Sequence, residues 1–271
     1  MVSRKGLSII CAFLFLSVII FSLLLSRISP QEEKKIYYLP SLEYLKLVSG
    51  TFKPLFAEML FIKGVLDISE EVPDRMSYFL KLFETAINLD PKLVSACFFG
   101  GIVVPVKKEE IPSGIKFLKE GMRLNPSDWR IPFWIGFNYL ELGIYSKVIE
   151  YYRLASNLPD SPAYLKTNLA FFYYKADRPK EGLLYLEGLF HSLKDRRLLE
   201  IIEKKIEWLE GLVFLEAKLT EFKRLFGIWP SDLEDLLETG LIDKIPPDPF
   251  GEGYYLEKGL FGGVPKVRSR F

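Results

Sequence analysis

One histidine and two cysteines are all the imidazoles and thiols that 271 residues carry. A structural zinc site needs four Cys or His ligands, and a disulfide scaffold needs several Cys pairs, so neither class fits. A Ser-His-Asp or Cys-His enzyme would have to rest on His191 alone. Net charge is equally scarce: 36 Lys and Arg face 35 Asp and Glu, a formal +1. That balance argues against broad phosphate neutralisation, and no nucleic-acid partner is expected. What is present in excess is apolar surface. Hydrophobic residues make up 49% and aromatics 15%, and the mean hydropathy of +0.14 is high for a chain living wholly in water.

Part of that excess is the run Leu7–Leu25, LSIICAFLFLSVIIFSLLL, which has no charge. As a helix it would cover roughly 28 Å, about the hydrocarbon thickness of a bilayer. A cleaved signal peptide is the competing reading. The run is longer than an ordinary signal core, and Ser26-Arg27-Ile28 offers no small-x-small cleavage site. Residues 7–26 therefore read as an uncleaved anchor behind a short flank, 1–6. A short N-terminus before a long remainder predicts N-in, C-out insertion. The charged tether 27–40 (with SPQEEKK at its start) follows. The expected location is a bacterial inner membrane, crossed once, with the bulk of the chain on the periplasmic side.

The middle of the chain repeats. Glu84-Thr-Ala-Ile-Asn-Leu-Asp-Pro91, Glu120-Gly-Met-Arg-Leu-Asn-Pro126 and Arg153-Leu-Ala-Ser-Asn-Leu-Pro159 end alike, and their small residues Ala86, Gly121 and Ala155 lie 35 and 34 apart. That is the period of a helix-turn-helix solenoid. The clearest unit carries Ile135, Gly136, Tyr139, Gly143, Val148, Tyr152 and Ala155 between Pro132 and Pro159. It resembles the tetratricopeptide repeat, whose pattern is W-x2-L-G-x2-Y followed by G, A, F, A and P at fixed offsets. Pro132 in place of Trp and Val148 in place of the first Ala make it a degenerate copy. The next unit keeps the register with Leu169, Ala170, Tyr173, Asp177 and Gly182. Upstream, Gly101 with Gly114, Leu118 and Gly121 forms a unit whose turn is lengthened by Val103–Pro112. Leu55–Asp67 pairs with Met76–Leu89. The resemblance implies repeats over 41–194, with Gly136, Tyr139, Ala155, Ala170 and Tyr173 as packing positions. It also implies a concave groove for a partner peptide, on which Asn138 and Asn168 are candidates.

From 195 to 226 no proline interrupts a three-to-four-residue apolar period (Leu198, Ile202, Leu209, Leu212, Leu215, Leu219, Phe222, Phe226), which predicts one long capping helix. Residues 227–271 change character. Ser231-Asp232-Leu233-Glu234 reads as a capping box opening a short helix, and Tyr254–Leu256 with Val264–Ser269 reads as a hairpin. The positions Gly227, Trp229, Pro230, Leu233, Leu236, Gly240, Ile245, Pro246, Asp248, Pro249, Phe250, Gly251 and Tyr254 resemble the C-terminal half of the type II secretion major pseudopilin. The N-terminal run lacks that family's Gly-Phe-Thr-Leu-x-Glu processing signature, so the tail reads as a borrowed module. Its turn is Pro246, Asp248, Pro249 and Gly251. Asp248 is a turn cap rather than a calcium ligand, because no downstream acidic cluster completes an oxygen site. Leu233, Leu236, Phe250 and Tyr254 should pack on the 195–226 helix as a lid.

The expected fold is therefore mainly α: one transmembrane helix, a TPR-like α-solenoid, a long capping helix, and a small tail of short helix and β-hairpin. As a whole it resembles membrane-anchored tetratricopeptide-repeat proteins of Gram-negative bacteria. His191 reads as a helix-end residue, and Cys97 beside Phe98 and Phe99 as a core residue. Glu70-Glu71 and Glu109-Glu110 are adjacent pairs whose side chains diverge in turns. Phe99-Gly100-Gly101 and Phe261-Gly262-Gly263 lack the strand, helix and lysine of a phosphate loop. No cofactor or metal is expected. Two functions stand as expectations: a non-enzymatic scaffold that presents a groove to another envelope protein or peptide, tied to a secretion or pilus-type assembly, and an envelope hydrolase using unrecognised carboxylates.

Overall fold

A computed structural model describes residues 38–251, 253–259 and 263–270. The run Leu7–Leu25 lies outside them, and among the described residues no helix is long and apolar enough to cross a membrane. The chain is mainly helical, with a two-stranded antiparallel hairpin near its C-terminus.

The helices are α1 (Leu42–Ser49), α2 (Lys53–Asp67), α3 (Arg75–Leu89), α4 (Val94–Phe98), α5 (Ile111–Leu124), α6 (Arg130–Glu141), α7 (Tyr145–Ser156), α8 (Tyr164–Lys175), α9 (Pro179–Ser192), α10 (Arg196–Phe226) and α11 (Glu234–Glu238). Pro54, Pro112 and Pro179 stand in the first turns of α2, α5 and α9, where a missing N–H costs nothing. From α5 onward each helix packs on the next in the chain, up to α10. The stack is solenoid-like.

Two successive turns are built identically. Ile144 N–H donates to Tyr139 O and Gly143 N–H to Leu140 O; 34 residues on, Arg178 N–H donates to Tyr173 O and Asp177 N–H to Tyr174 O. This paired 6→1 and 5→2 pattern needs a left-handed residue. Gly143 supplies it at φ 74° and Asp177 at φ 59°, aspartate being among the few side chains that tolerate it. The same offset recurs between repeats, where Asn125 Nδ2 donates to Pro91 O at 2.6 Å.

At Gly100-Gly101, α4 passes into a π-helical turn, Phe99–Val103. A Cβ at Gly100 would overlap Phe117 and one at Gly101 would overlap Leu118, so the two glycines let α5 sit against this turn. Glu110 closes the following loop by accepting from Val106 N–H at 2.8 Å and Lys107 N–H at 3.1 Å. Those bonds hold its carboxyl below the usual range.

The long helix α10 opens on Asp195, whose carboxylate accepts from Arg197 and Leu198 N–H, and closes on Gly227 at φ 74°. The start of α11 differs from the expected box by one residue. Asp235 N–H donates to Asp232 Oδ1 and Ser231 N–H to Asp235 Oδ2 at 2.6 Å. Asp232 thus caps Asp235 N–H while Asp235 reaches back to Ser231 N–H, and Glu234 is the first helical residue. The strands β1 (Tyr254–Glu257) and β2 (Lys266–Ser269) pair with Tyr254 opposite Ser269 and Glu257 opposite Lys266. Tyr254 and Val267 face inward with Leu233, Leu236 and Ile242, and share one buried cluster with Leu209, Leu212, Leu215, Leu219 and Phe222 of α10.

A cleft between helix α8 and the tail

Helix α8 is where the stack meets the tail. Its residues Leu165, Leu169, Ala170, Phe172 and Tyr173 are buried. Asn168, Phe171 and Lys175, spaced three and four apart, line two depressions, Phe171 also packing against the core.

The first is an apolar cavity of about 230 Å³ lined by Asn168, Phe171 and Phe172 of α8, Lys205 and Trp208 of α10, and Phe250 of the tail turn. The Trp208 ring meets Phe250 edge-on at 5.9 Å and Tyr174 at 4.9 Å. Lys205 Nζ donates to Thr167 O at 2.9 Å and to Asn168 Oδ1 at 3.0 Å. Burial among these rings disfavours the charged amine and brings its pKa down to about 8.

The second is a wider polar cleft of about 600 Å³, lined by Tyr145, Tyr174, Lys175, Tyr255, Glu257, Arg268, Ser269 and Arg270. Arg268 is neutralised twice, by Glu257 at 2.7 Å and Asp177 at 2.8 Å. Lys266 pairs with Asp177 as well. Burial works to raise the Asp177 carboxyl, but the bonds from Lys266 and Arg268 hold it below its ordinary range. Burial raises the Tyr174 phenol, against a hydrogen bond from Ser269 N–H at 3.2 Å. Lys175 and Arg270 are held otherwise. Lys175 Nζ lies 5.2 Å from the Phe171 ring and 5.5 Å from Tyr174, and the Arg270 guanidinium 5.8 Å from Tyr255. Ring faces orient both cations and leave their polar edges for an anion.

Of the two candidate groove residues, Asn168 lines the cavity, while Asn138 does not reach a groove. Asn138 is buried and donates its amide to Gly101 O at 2.9 Å. It bonds a carbonyl of the π-helical turn and so ties that turn to α6. Gly136 meets the Tyr152 ring, Tyr139 stacks on Tyr151 at 5.5 Å, Ala155 and Ala170 are fully buried, and the Tyr173 phenol accepts from Arg153. Asp248 accepts from Phe250 N–H at 2.9 Å and from Ser269 Oγ at 2.7 Å, with Gly251 N–H on its carbonyl at 3.0 Å. One carboxylate oxygen thus closes the turn and the other ties it to β2.

Sequence reasoning missed Lys205 and the Arg268–Asp177 pair. On its helix Lys205 is one of several lysines on a charged back. Only the fold shows that it leans over α8. His191 is exposed at the end of α9 beside Phe190. Cys97 is buried, and desolvation pushes its thiol up to about 12. Among the described residues no group of three His, Cys, Asp or Glu could hold a metal ion. No protein-family model and no curated protein matches the chain.

Proposed function

We propose that the chain is a non-enzymatic interaction scaffold, anchored in the bacterial inner membrane through Leu7–Leu25, with TPR-like repeats on the periplasmic side. The cleft beside α8 receives an extended, acidic segment of another envelope protein. The observation that carries this reading is the pair Lys175 and Arg270, each laid on an aromatic face of one open cleft. Cations oriented on rings and surrounded by tyrosines bind carboxylates while stacking apolar side chains, and they perform no chemistry by themselves. The 34-residue recurrence of the helix turns supports the repeat reading. The pseudopilin-like tail, which forms one wall, ties the scaffold to secretion or pilus-type assemblies.

A hydrolase reading has one observation in its favour. Burial raises the Glu216 carboxyl, and the Asp177 charge beside it adds to the effect. Both line a cavity of about 200 Å³. Asp177, however, is committed to Lys266 and Arg268, which leaves an acid without a free base.

The test is photocross-linking in intact cells from positions 168 and 255, with exposed Leu184 as the control position. A protein adduct formed at 168 and 255, absent at 184 and lost in the Lys175→Glu, Arg270→Glu chain, is the expected result. Adducts indifferent to both charge reversals would refute the cleft as the binding site. Membrane attachment is checked by extraction with alkaline carbonate, through which the full chain stays sedimentable and a chain lacking residues 1–26 is released.

A further inference from the structure

The two ends of the helix stack are finished differently. At the C-terminal end α10 is roofed by the tail. At the other end, α2 packs on α1 and α3, and among the described residues nothing covers its opposite side. Leu55, Met59, Ile62 and Leu66 are 52%, 59%, 55% and 70% exposed. Their spacing is four, three, four, which is a heptad seam with d at 55 and 62 and a at 59 and 66. The f positions of the same heptads are Ala57 and Gly64. Both are buried, and a Cβ at Gly64 would meet Phe83 at 2.7 Å. The seam therefore points directly away from α3. An apolar stripe on the side away from the core, added to a buried one, marks a helix that is covered on both sides.

We propose that a second copy of this chain covers it, through a parallel, two-fold α2–α2′ contact. Charge selects this occupant and this direction. The exposed charges flanking the seam are Glu58 at g and Lys63 at e. In a parallel pair, g of one helix faces the following e of the other, so Glu58 meets Lys63 of the second copy, and the symmetry makes the pair twice. An antiparallel pair would set Glu58 against Val65 and Lys63 against Phe56, matching charge to apolar surface. Within one chain Lys63 Nζ donates to Asp67 Oδ2 at 2.7 Å and is hydrogen-bonded to the Tyr78 phenol, so one of its three N–H bonds is left for a second carboxylate. The contact is remote in sequence from the α8 cleft and stands whether or not the cleft binds a peptide.

The experiment uses the full chain in membranes, with Cys11→Ser as background and oxidation by copper phenanthroline. Met59→Cys and Ile62→Cys should each give covalent dimer at least severalfold above Glu84→Cys, an exposed site on α3. In a parallel seam, like positions face each other. Adding Glu58→Lys or Lys63→Glu to the Met59→Cys chain should cut the dimer yield severalfold, and the two reversals together should restore it. Dimer from mixed Leu55→Cys and Leu66→Cys chains without any from Met59→Cys alone would overturn the parallel register. Quenching of a label at position 59 by a bilayer-restricted quencher, with no cross-link, would overturn the second copy in favour of lipid.

Discussion

The phenol of Tyr254 on β1 donates to the backbone carbonyl of Trp208, in the middle of α10, at 3.0 Å. The contact is possible because Gly211, one turn on, has no Cβ: any side chain there would overlap the Tyr254 ring and hydroxyl. The sequence thus couples a glycine in a helix to an aromatic on a strand. Tyr254→Phe should cost about 1 kcal/mol in a urea unfolding series, the usual net worth of one hydrogen bond. Gly211→Leu should cost more, about 1–3 kcal/mol, by lifting the hairpin off the helix. Equal stability of both variants and the parent would mean that the hairpin does not sit there in solution.

Removing Gly227–Phe271 strips Leu233, Leu236, Ile242, Tyr254 and Val267 from the buried cluster they share with Leu212, Leu215, Leu219 and Phe222 of α10. The truncated chain should melt at lower temperature and bind a hydrophobic dye. Chelators should leave the intact chain unchanged, since Asp248 already accepts from Phe250 N–H and Ser269 Oγ. A melting temperature that drops with chelator would contradict this account of the turn.

At the α6–α7 contact, Gly136 lies against the Tyr152 ring. Gly136→Leu should destabilise the chain by about 1–3 kcal/mol through overpacking. The readout is thermal unfolding followed by circular dichroism at a helical wavelength. A parent-like curve would place α6 and α7 further apart than they are here.

Lys205 predicts a pH dependence. An unfolded-chain lysine holds its proton to about 10.4, whereas the native amine releases it near 8. Below pH 8 both states are protonated, and the native state carries the full cost of burying the charge. Between pH 8 and about 10.4 the unfolded state binds more protons, so this group's contribution makes stability rise with pH. Lys205→Met should abolish that rise and stabilise the chain at pH 7 by about 1–3 kcal/mol. A pH profile unaltered by the substitution would show that the amine is solvated.

What could be read in advance divides along a physical line. Helix ends were legible because proline, glycine and capping aspartate act within a few residues: α10 runs Arg196–Phe226 between Asp195 and Gly227. The hairpin was legible from its tyrosine pair and the valines that follow. The fate of Asn138 was not. A polar residue in mid-helix serves equally to line a groove or to satisfy a carbonyl, and the carbonyl in question belongs to Gly101 in a π-helical turn. Asp177 read as a turn residue, which it is. That it also gathers Lys266 and Arg268 depends on where the tail docks, and no local pattern encodes that.

The bonds from Lys266 and Arg268 to Asp177 span 89 and 91 residues, whereas the helices of the stack meet their neighbours in the chain. Local contacts form early and cheaply, while distant ones wait for a long loop to close. The helices should therefore gain their circular-dichroism signal first, and Trp208 should reach its final surroundings later, when β1 and β2 arrive. The pace of maturation then belongs to the tail, although the helices hold most of the mass.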